Sequence, residues 1–183
     1  KFERGLREGI TARQIHRIPV EAGDFIFIPS GRLHAIGAGL VIFEVQENSD
    51  TTYRVHDWGR IGLDGEPRAL HIRESMQCID FTDSEPGTGI AKGDVLVDCP
   101  QFKVARRSLS SGERFVMGGG GHFALLAVVD GMLRCGKKHF APGEFFLLPA
   151  GCAVNLMTDT GALLLHVTLQ CVEKLSSFPP SPE

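Results

Sequence analysis

A ten-residue pattern occurs twice in this chain of 183 residues, and it constrains the fold more than any other feature. Residues 22–31 read AGDFIFIPSG and residues 142–151 read PGEFFLLPAG, and each shared glycine and proline recurs 120 positions further on. In both copies a glycine opens a run of apolar and aromatic residues that a proline and a second glycine close, which is typical of a β-strand between two turns. The repetition predicts two similar β-rich units in one chain.

Further strand signals surround the two copies. The chain has 22 glycines and ten prolines and few segments with helical periodicity, so it favours an all-β fold with a minor helical part. Short helices are expected over residues 2–8 and 70–79. We expect strands over residues 24–28, 40–43 and 51–56 of the first half, and over residues 95–97, 102–109, 123–129, 145–148 and 163–169 of the second.

Ionisable side chains follow the first copy within a short stretch. His34 precedes one expected strand, Glu44 directly follows it, and Asp50 precedes the next. Arg54 and His56 share one face of that next strand, because alternate residues of a strand point to the same side. Apolar strands that carry such groups on one face predict a pocket inside a small barrel.

The spacing Gly23-x5-Pro29-x-Gly31-x2-His34 is that of the second cupin motif, with Ala38 where the motif has a later asparagine. The continuation HAIGAGLVIFEVQENSDTTYRVHDWGR resembles the zinc-dependent, cupin-type mannose-6-phosphate isomerases in their short bacterial form. The resemblance is strong from about residue 23 to about residue 60 and looser over the remainder. It implies a double cupin with jelly-roll, RmlC-like barrels, and an isomerase that interconverts mannose 6-phosphate and fructose 6-phosphate.

The resemblance also implies roles for individual residues. His34 would be a zinc ligand. Arg54, in the motif Ser49-Asp50-x3-Arg54, would be the active-site arginine that contacts the substrate and stabilises the negative charge of an enediolate. Glu44 is a candidate for the catalytic base that moves a proton between C1 and C2, and equally for a partner that orients His34 or Arg54.

Asp50 and His56 are weaker candidates for contacts with the substrate. In the resembled family, the other zinc ligands lie upstream, in a segment with a glutamine-x-histidine pair and a later glutamate, and no such segment precedes Phe2. Because a zinc site needs three or four ligands, we expect zinc in the full-length enzyme and too few ligands in this chain. The chain begins with Lys1 instead of methionine, so we expect a truncated form.

Simpler roles remain open for the same residues. His34 could be a hydrogen-bonded core histidine, and Arg54 could form a surface salt bridge of little energetic value with Asp57 or Glu44. The alternative function is a non-catalytic cupin module that binds sugars or regulates. A metal-dependent dioxygenase would need a histidine-x-histidine pair, which the sequence lacks. The other histidines have no supporting spacing and are expected to have ordinary roles: His16, His71, His122, His139 and His166.

The expected domains follow from these motifs. Residues 1–81 form the C-terminal part of the catalytic cupin. Residues 94–175 form a second, metal-free cupin-like domain, because Val154 stands where the first copy has its histidine. Residues 82–93 contain Asp, Ser, Pro and Gly without periodicity and are expected to be a linker, and residues 176–183 are expected to be a loose tail.

The composition restricts the partners of the chain. A formal net charge of −3 argues against a general nucleic-acid surface, although a local basic patch could still bind a sugar phosphate substrate. No apolar run is long enough to span a bilayer, so no membrane partner is expected. Missing strands would leave sheet edges exposed, which favours a homodimer. The five cysteines are scattered, and we expect them to be reduced and mostly buried in a cytoplasmic protein.

Overall fold

The computed structural model describes residues 2–49, 51–83 and 87–170, and the chain divides into two compact units, Lys1–Gly89 and Ile90–Glu183. Within the described residues, all nine β-strands lie in the second unit and both α-helices lie in the first. The tail expected at residues 176–183 falls outside the described residues, as does Cys171. The helices of the described part of the chain are too short to cross a membrane.

The second unit consists of two antiparallel sheets. One sheet has five strands in the order β1-β2-β9-β4-β7, and the other has four strands in the order β3-β8-β5-β6. The strands are β1 (Val95–Asp98), β2 (Phe102–Leu109), β3 (Arg114–Gly118), β4 (Ala124–Gly131), β5 (Leu133–Cys135), β6 (Lys138–Phe140), β7 (Phe145–Leu148), β8 (Ala153–Met157) and β9 (Ala162–Leu169).

The core of the second unit is formed by residues from both sheets. Leu126 and Leu164 of the five-stranded sheet pack in one cluster with Leu133 and Leu156 of the four-stranded sheet, and none of the four is more than 1% exposed. Complete burial of a leucine side chain contributes about 1.5–3 kcal/mol relative to its exposure. The second unit therefore has a hydrophobic core of its own.

The sequence predicts the long strands of this unit well. Strands β2 and β7 have the expected bounds, and β1, β4 and β9 differ from the expected bounds by one or two residues. Strands β3, β5, β6 and β8 are absent from the prediction. Strands β5 and β6 have three residues each, which is too short for an alternating pattern to be recognised. The all-β class with a minor helical part is confirmed.

The first unit contains helix α1 (Phe2–Arg7), a 3-10 turn (Thr11–Arg13) and helix α2 (Ile72–Cys78). Both α-helices were expected from the sequence. Helix α1 is followed by Gly9, whose φ of 69° is the left-handed conformation that commonly ends a helix.

The strands expected over residues 24–28, 40–43 and 51–56 do not form, so the prediction is wrong for these three segments. A strand is stabilised by backbone hydrogen bonds to a neighbouring strand. In the described part of this unit, β-pairing is limited to an isolated bridge between Ile61 and Pro67. As a result, a series of large apolar side chains is exposed: Ile26, Phe27, Ile28, Ile36, Leu40, Val41, Ile42 and Phe43.

The cysteines are more exposed than the sequence analysis expects. Cys78 and Cys152 are exposed, Cys99 and Cys135 are partly buried, and all four are free thiols. Cys78 is the last residue of α2 and Cys152 lies in the turn before β8, so neither is part of the core. The expectation that the cysteines are mostly buried is therefore wrong for these four.

Candidate functional site

The turn that leads to His34 has the geometry that its glycine and proline predict. Gly31 has a φ of 86°, and the amide of Arg32 donates a hydrogen bond to the carbonyl of Pro29 at 3.2 Å. The guanidinium of Arg32 binds the two carboxylate oxygens of Asp83 at 2.5 and 3.2 Å. This ion pair holds the turn against the segment that follows α2.

His34 is exposed, so it is not a core histidine. Its Nδ1 lies 3.1 Å from the carbonyl oxygen of Arg32, and donation from Nδ1 leaves Nε2 as the nitrogen that could bind a metal. A zinc site requires three or four ligands. No group of three or more His, Cys, Asp and Glu side chains among the described residues could hold a metal ion. The described residues therefore do not fit a zinc site, and His34 offers one ligand at most.

Arg54 is half-buried, and both polar groups of its backbone are bound by His71. The Arg54 amide donates to Nδ1 of His71 at 3.2 Å, and the His71 amide donates to the Arg54 carbonyl at 2.7 Å. The next residue, Val55, is 7% exposed. These contacts fix the backbone from which the Arg54 side chain extends. The sequence gives no signal for this role of His71, because no local pattern links positions 17 residues apart.

Asp57 is buried at 8% exposure and is bound by Arg68. The Arg68 Nε donates to Oδ2 of Asp57 at 2.6 Å, and Nη2 donates to Oδ1. These hydrogen bonds lower the pKa of Asp57, burial opposes the shift, and the positive charges of Arg68, Arg60 and Arg54 add to it. Among the described residues, Arg54 forms no salt bridge with Asp57, which is bound by Arg68, or with Glu44, so this alternative role is not supported.

The remaining predicted site residues have different surroundings. His56 is half-buried and its ring meets the ring of Trp58 edge to face, with centroids 4.9 Å apart. Glu44 is exposed, so it lacks the apolar enclosure that would favour it as a base. Asp50 lies outside the described residues. The structure therefore brings together Arg54, His56 and Asp57 with Arg68, His71, Trp58 and Arg60, of which the sequence analysis selected only Arg54 and His56.

The second unit has polar groups on its inner face that the sequence analysis did not select. An open cavity of about 430 Å³ is lined by side chains that include Arg107, Glu113 and His166. The guanidinium carbon of Arg107 lies 4.2 Å from the centre of the Phe115 ring, and its Nη2 lies 3.3 Å from Oε1 of Glu113. Burial, together with the charge of Arg107, lowers the pKa of His166. Val154 is half-buried in β8 at the position equivalent to His34.

The chain is similar in sequence to several mannose-6-phosphate isomerases. It is 35% identical to that of Streptococcus mutans over 163 residues, which cover 81% of this chain and 51% of the relative. It is 32% identical to Bacillus subtilis ManA over 157 residues, which cover 80% of this chain and 49% of the relative. It is 42% identical to the probable mannose-6-phosphate isomerase GmuF of Bacillus subtilis over 122 residues, or 63% of this chain. The chain thus spans about half the length of the curated relatives it matches.

The chain is also similar to a solved structure. The crystal structure of the mannose 6-phosphate isomerase from Bacillus subtilis matches 66% of this chain and 41% of its own length, with a TM-score of 0.50 and 23% sequence identity. At this identity the match concerns the fold, and the predicted cupin architecture is confirmed. No protein-family model matches the chain.

Proposed function

This chain belongs to the mannose-6-phosphate isomerases of the cupin type, as a homologue of their C-terminal portion, and from this premise we propose that it supplies part of the active site of such an enzyme. The reaction would interconvert mannose 6-phosphate and fructose 6-phosphate. The observation that carries the proposal is the identity of 31–42% to four proteins of that name, which extends over 63–81% of the chain.

Arg54 is the residue of this chain that we assign to the chemical step. Interconversion of an aldose and a ketose places negative charge on the oxygens of an enediolate, and a guanidinium held in place stabilises that charge. The half-buried position of Arg54 and the two hydrogen bonds between its backbone and His71 support this role. A donor that is already positioned does not need to reorganise when charge develops.

The other assignments are also proposals. Glu44 would either move the proton between C1 and C2 or orient His34 or Arg54, and Asp50 and His56 would contact the sugar phosphate. His34 would donate one nitrogen to zinc in an enzyme of the relatives' length. Zinc bound there would polarise the sugar carbonyl. No step is assigned to zinc in this chain, because the described residues do not form a site for it.

The alternative is a cupin-like module that binds a sugar or regulates without catalysis. One observation favours it: no three-residue group of potential metal ligands exists among the described residues. We also place the protein in the cytoplasm, since Cys78, Cys99, Cys135 and Cys152 are free thiols. Its exposed apolar segments would support a homodimer, with no nucleic acid or membrane as partner.

A chimaera tests the enzyme against the module. The part of Bacillus subtilis ManA that this chain does not match would be joined to residues 1–183, and turnover of mannose 6-phosphate would be measured with zinc content. We expect isomerase activity, because the two parts together would restore the length of the relatives. A folded chimaera that binds mannose 6-phosphate without converting it would contradict the enzyme and favour the module.

A further inference from the structure

Residues 57–60 form a tight turn, and the tryptophan at one of its central positions is unusual. The Arg60 amide donates a hydrogen bond to the Asp57 carbonyl at 3.0 Å, and the two central residues, Trp58 and Gly59, have φ values of 52° and 68°. Positive φ at both central positions defines a type I′ turn, in which asparagine or aspartate followed by glycine is preferred. Trp58 is the only residue other than glycine with positive φ in the described chain.

A bulky residue in the left-handed region is strained, and such strain is concentrated at functional sites. Here the turn places an indole and a guanidinium together at the surface. Trp58 is 54% exposed, and the guanidinium carbon of Arg60 lies 5.8 Å from the centre of its ring. His56 packs edge to face against the same indole at 4.9 Å.

Three arginines act on the carboxylate of Asp57, the first residue of the turn. The Asp57 carboxylate is neutralised by its paired hydrogen bonds from Arg68. The positive charges of Arg60 and Arg54 also act on Asp57, so both guanidinium groups lie within electrostatic reach of this one carboxylate. Arg60 therefore places a positive charge beside Trp58, in a chain whose formal net charge is −3.

We propose that Arg60 and Trp58 form the subsite for the phosphate end of a sugar phosphate, with Arg60 binding the phosphate oxygens and the indole packing against the sugar. The proposal rests on the proposed function for the class of substrate. In this arrangement Arg54 would contact the enediolate, at the end of the sugar opposite the phosphate. Arginine suits this task because its planar guanidinium donates paired hydrogen bonds to a phosphate group. The Asp57–Arg68 pair holds the base of the turn.

The sequence contains one tryptophan, so fluorescence excited selectively at tryptophan, and not at Tyr53, reports on Trp58 alone. Titrations would use inorganic phosphate, mannose 6-phosphate and mannose. We expect a saturable change with mannose 6-phosphate, a weaker one with phosphate and none with mannose at the same concentrations. Arg60→Ala should weaken binding of mannose 6-phosphate about tenfold, which is the usual loss for one charge-assisted contact. Arg60→Lys should recover part of it, and Arg73→Ala, on the exposed side of α2, should change nothing.

Trp58→Asn provides a second variant, followed by calorimetry. Asparagine suits the turn, so melting temperature should stay the same or rise while binding of mannose 6-phosphate weakens. The proposal is overturned if no ligand produces a saturable change, if mannose binds as well as mannose 6-phosphate, or if Arg60→Ala and Trp58→Asn both bind normally. These results do not depend on turnover. An inactive chimaera with intact, Arg60-dependent binding would overturn the isomerase and leave the phosphate subsite in place.

Discussion

The ten-residue pattern that occurs once in each unit, at residues 22–31 and 142–151, has the same turns at its two ends in both copies. The amide of Asp24 donates to Glu21 at 3.1 Å, and at the equivalent position the amide of Glu144 donates to Ala141 at 3.0 Å. At the other end of the segment, the amides of Arg32 and Cys152 donate to the carbonyls of Pro29 and Pro149, at 3.2 and 3.1 Å. The flanking glycines agree as well: φ is 97° and 86° at Gly23 and Gly31, and 89° and 73° at Gly143 and Gly151.

The two segments differ between their turns. Residues 145–148 form strand β7, which pairs with residues 124–127 of β4. The equivalent residues 25–28 form no strand. At matched positions, Leu148 is 4% exposed and Ile28 is 39% exposed. The turn conformation is therefore local to the segment, whereas a strand and its buried side chains require a neighbouring strand.

A matched pair of substitutions gives the largest expected contrast. Leu148→Ala should destabilise the second unit by about 2–5 kcal/mol, because it removes a buried side chain and leaves a cavity. Ile28→Ala should cost about 1 kcal/mol or less, since its side chain is already partly in water. Denaturant unfolding of the two variants and the parent chain measures both. Equal losses would mean that Ile28 is as well packed as Leu148.

Replacing one arginine in each unit is expected to affect kcat differently. In the active chimaera, Arg54→Ala should lower kcat by about ten- to a thousandfold, the loss that follows removal of one charge-stabilising donor. Arg107→Ala in the second unit should leave kcat nearly unchanged, because Arg107 is engaged by Glu113 and Phe115. Steady-state kinetics of the two variants, with their zinc content measured alongside, gives both values of kcat. Normal kcat in a folded Arg54→Ala chimaera would remove Arg54 from the mechanism.

A smaller effect is expected on how the stability of the second unit depends on pH. Burial lowers the pKa of His166 in the folded chain below its ordinary value of 6.5. The unfolded chain therefore binds the proton more readily, so His166 makes folding less favourable as pH falls from about 7 through its folded pKa. Melting temperature measured between about pH 5 and 7 should decline with acidification, and His166→Gln should flatten that decline. An unchanged slope in the variant would show that other groups govern it.

The candidate site was partly predictable. The motif Asp50-x3-Arg54 and the spacing from Gly31 select Arg54 and His34 as candidates, because both signals are contained in short segments. The contacts that surround Arg54 join residues distant in the sequence, so they could not be predicted. Its backbone is held by His71, and Asp57 is held by Arg68 11 residues further along the chain. The turn at Trp58 was hidden as well, since tryptophan is not among the residues that type I′ turns prefer.

The residues of the two repeated segments are sufficient to specify the turns at both ends of each copy. Glycine reaches positive φ without a steric penalty and proline restricts its own φ, so these conformations depend on the residues in the turn. Which apolar runs become strands depends instead on long-range pairing, because each ladder hydrogen bond needs a partner distant in the sequence. Residues 145–148 have that partner in β4, whereas residues 24–28 have the same local pattern and no strand beside them in the described part of the chain.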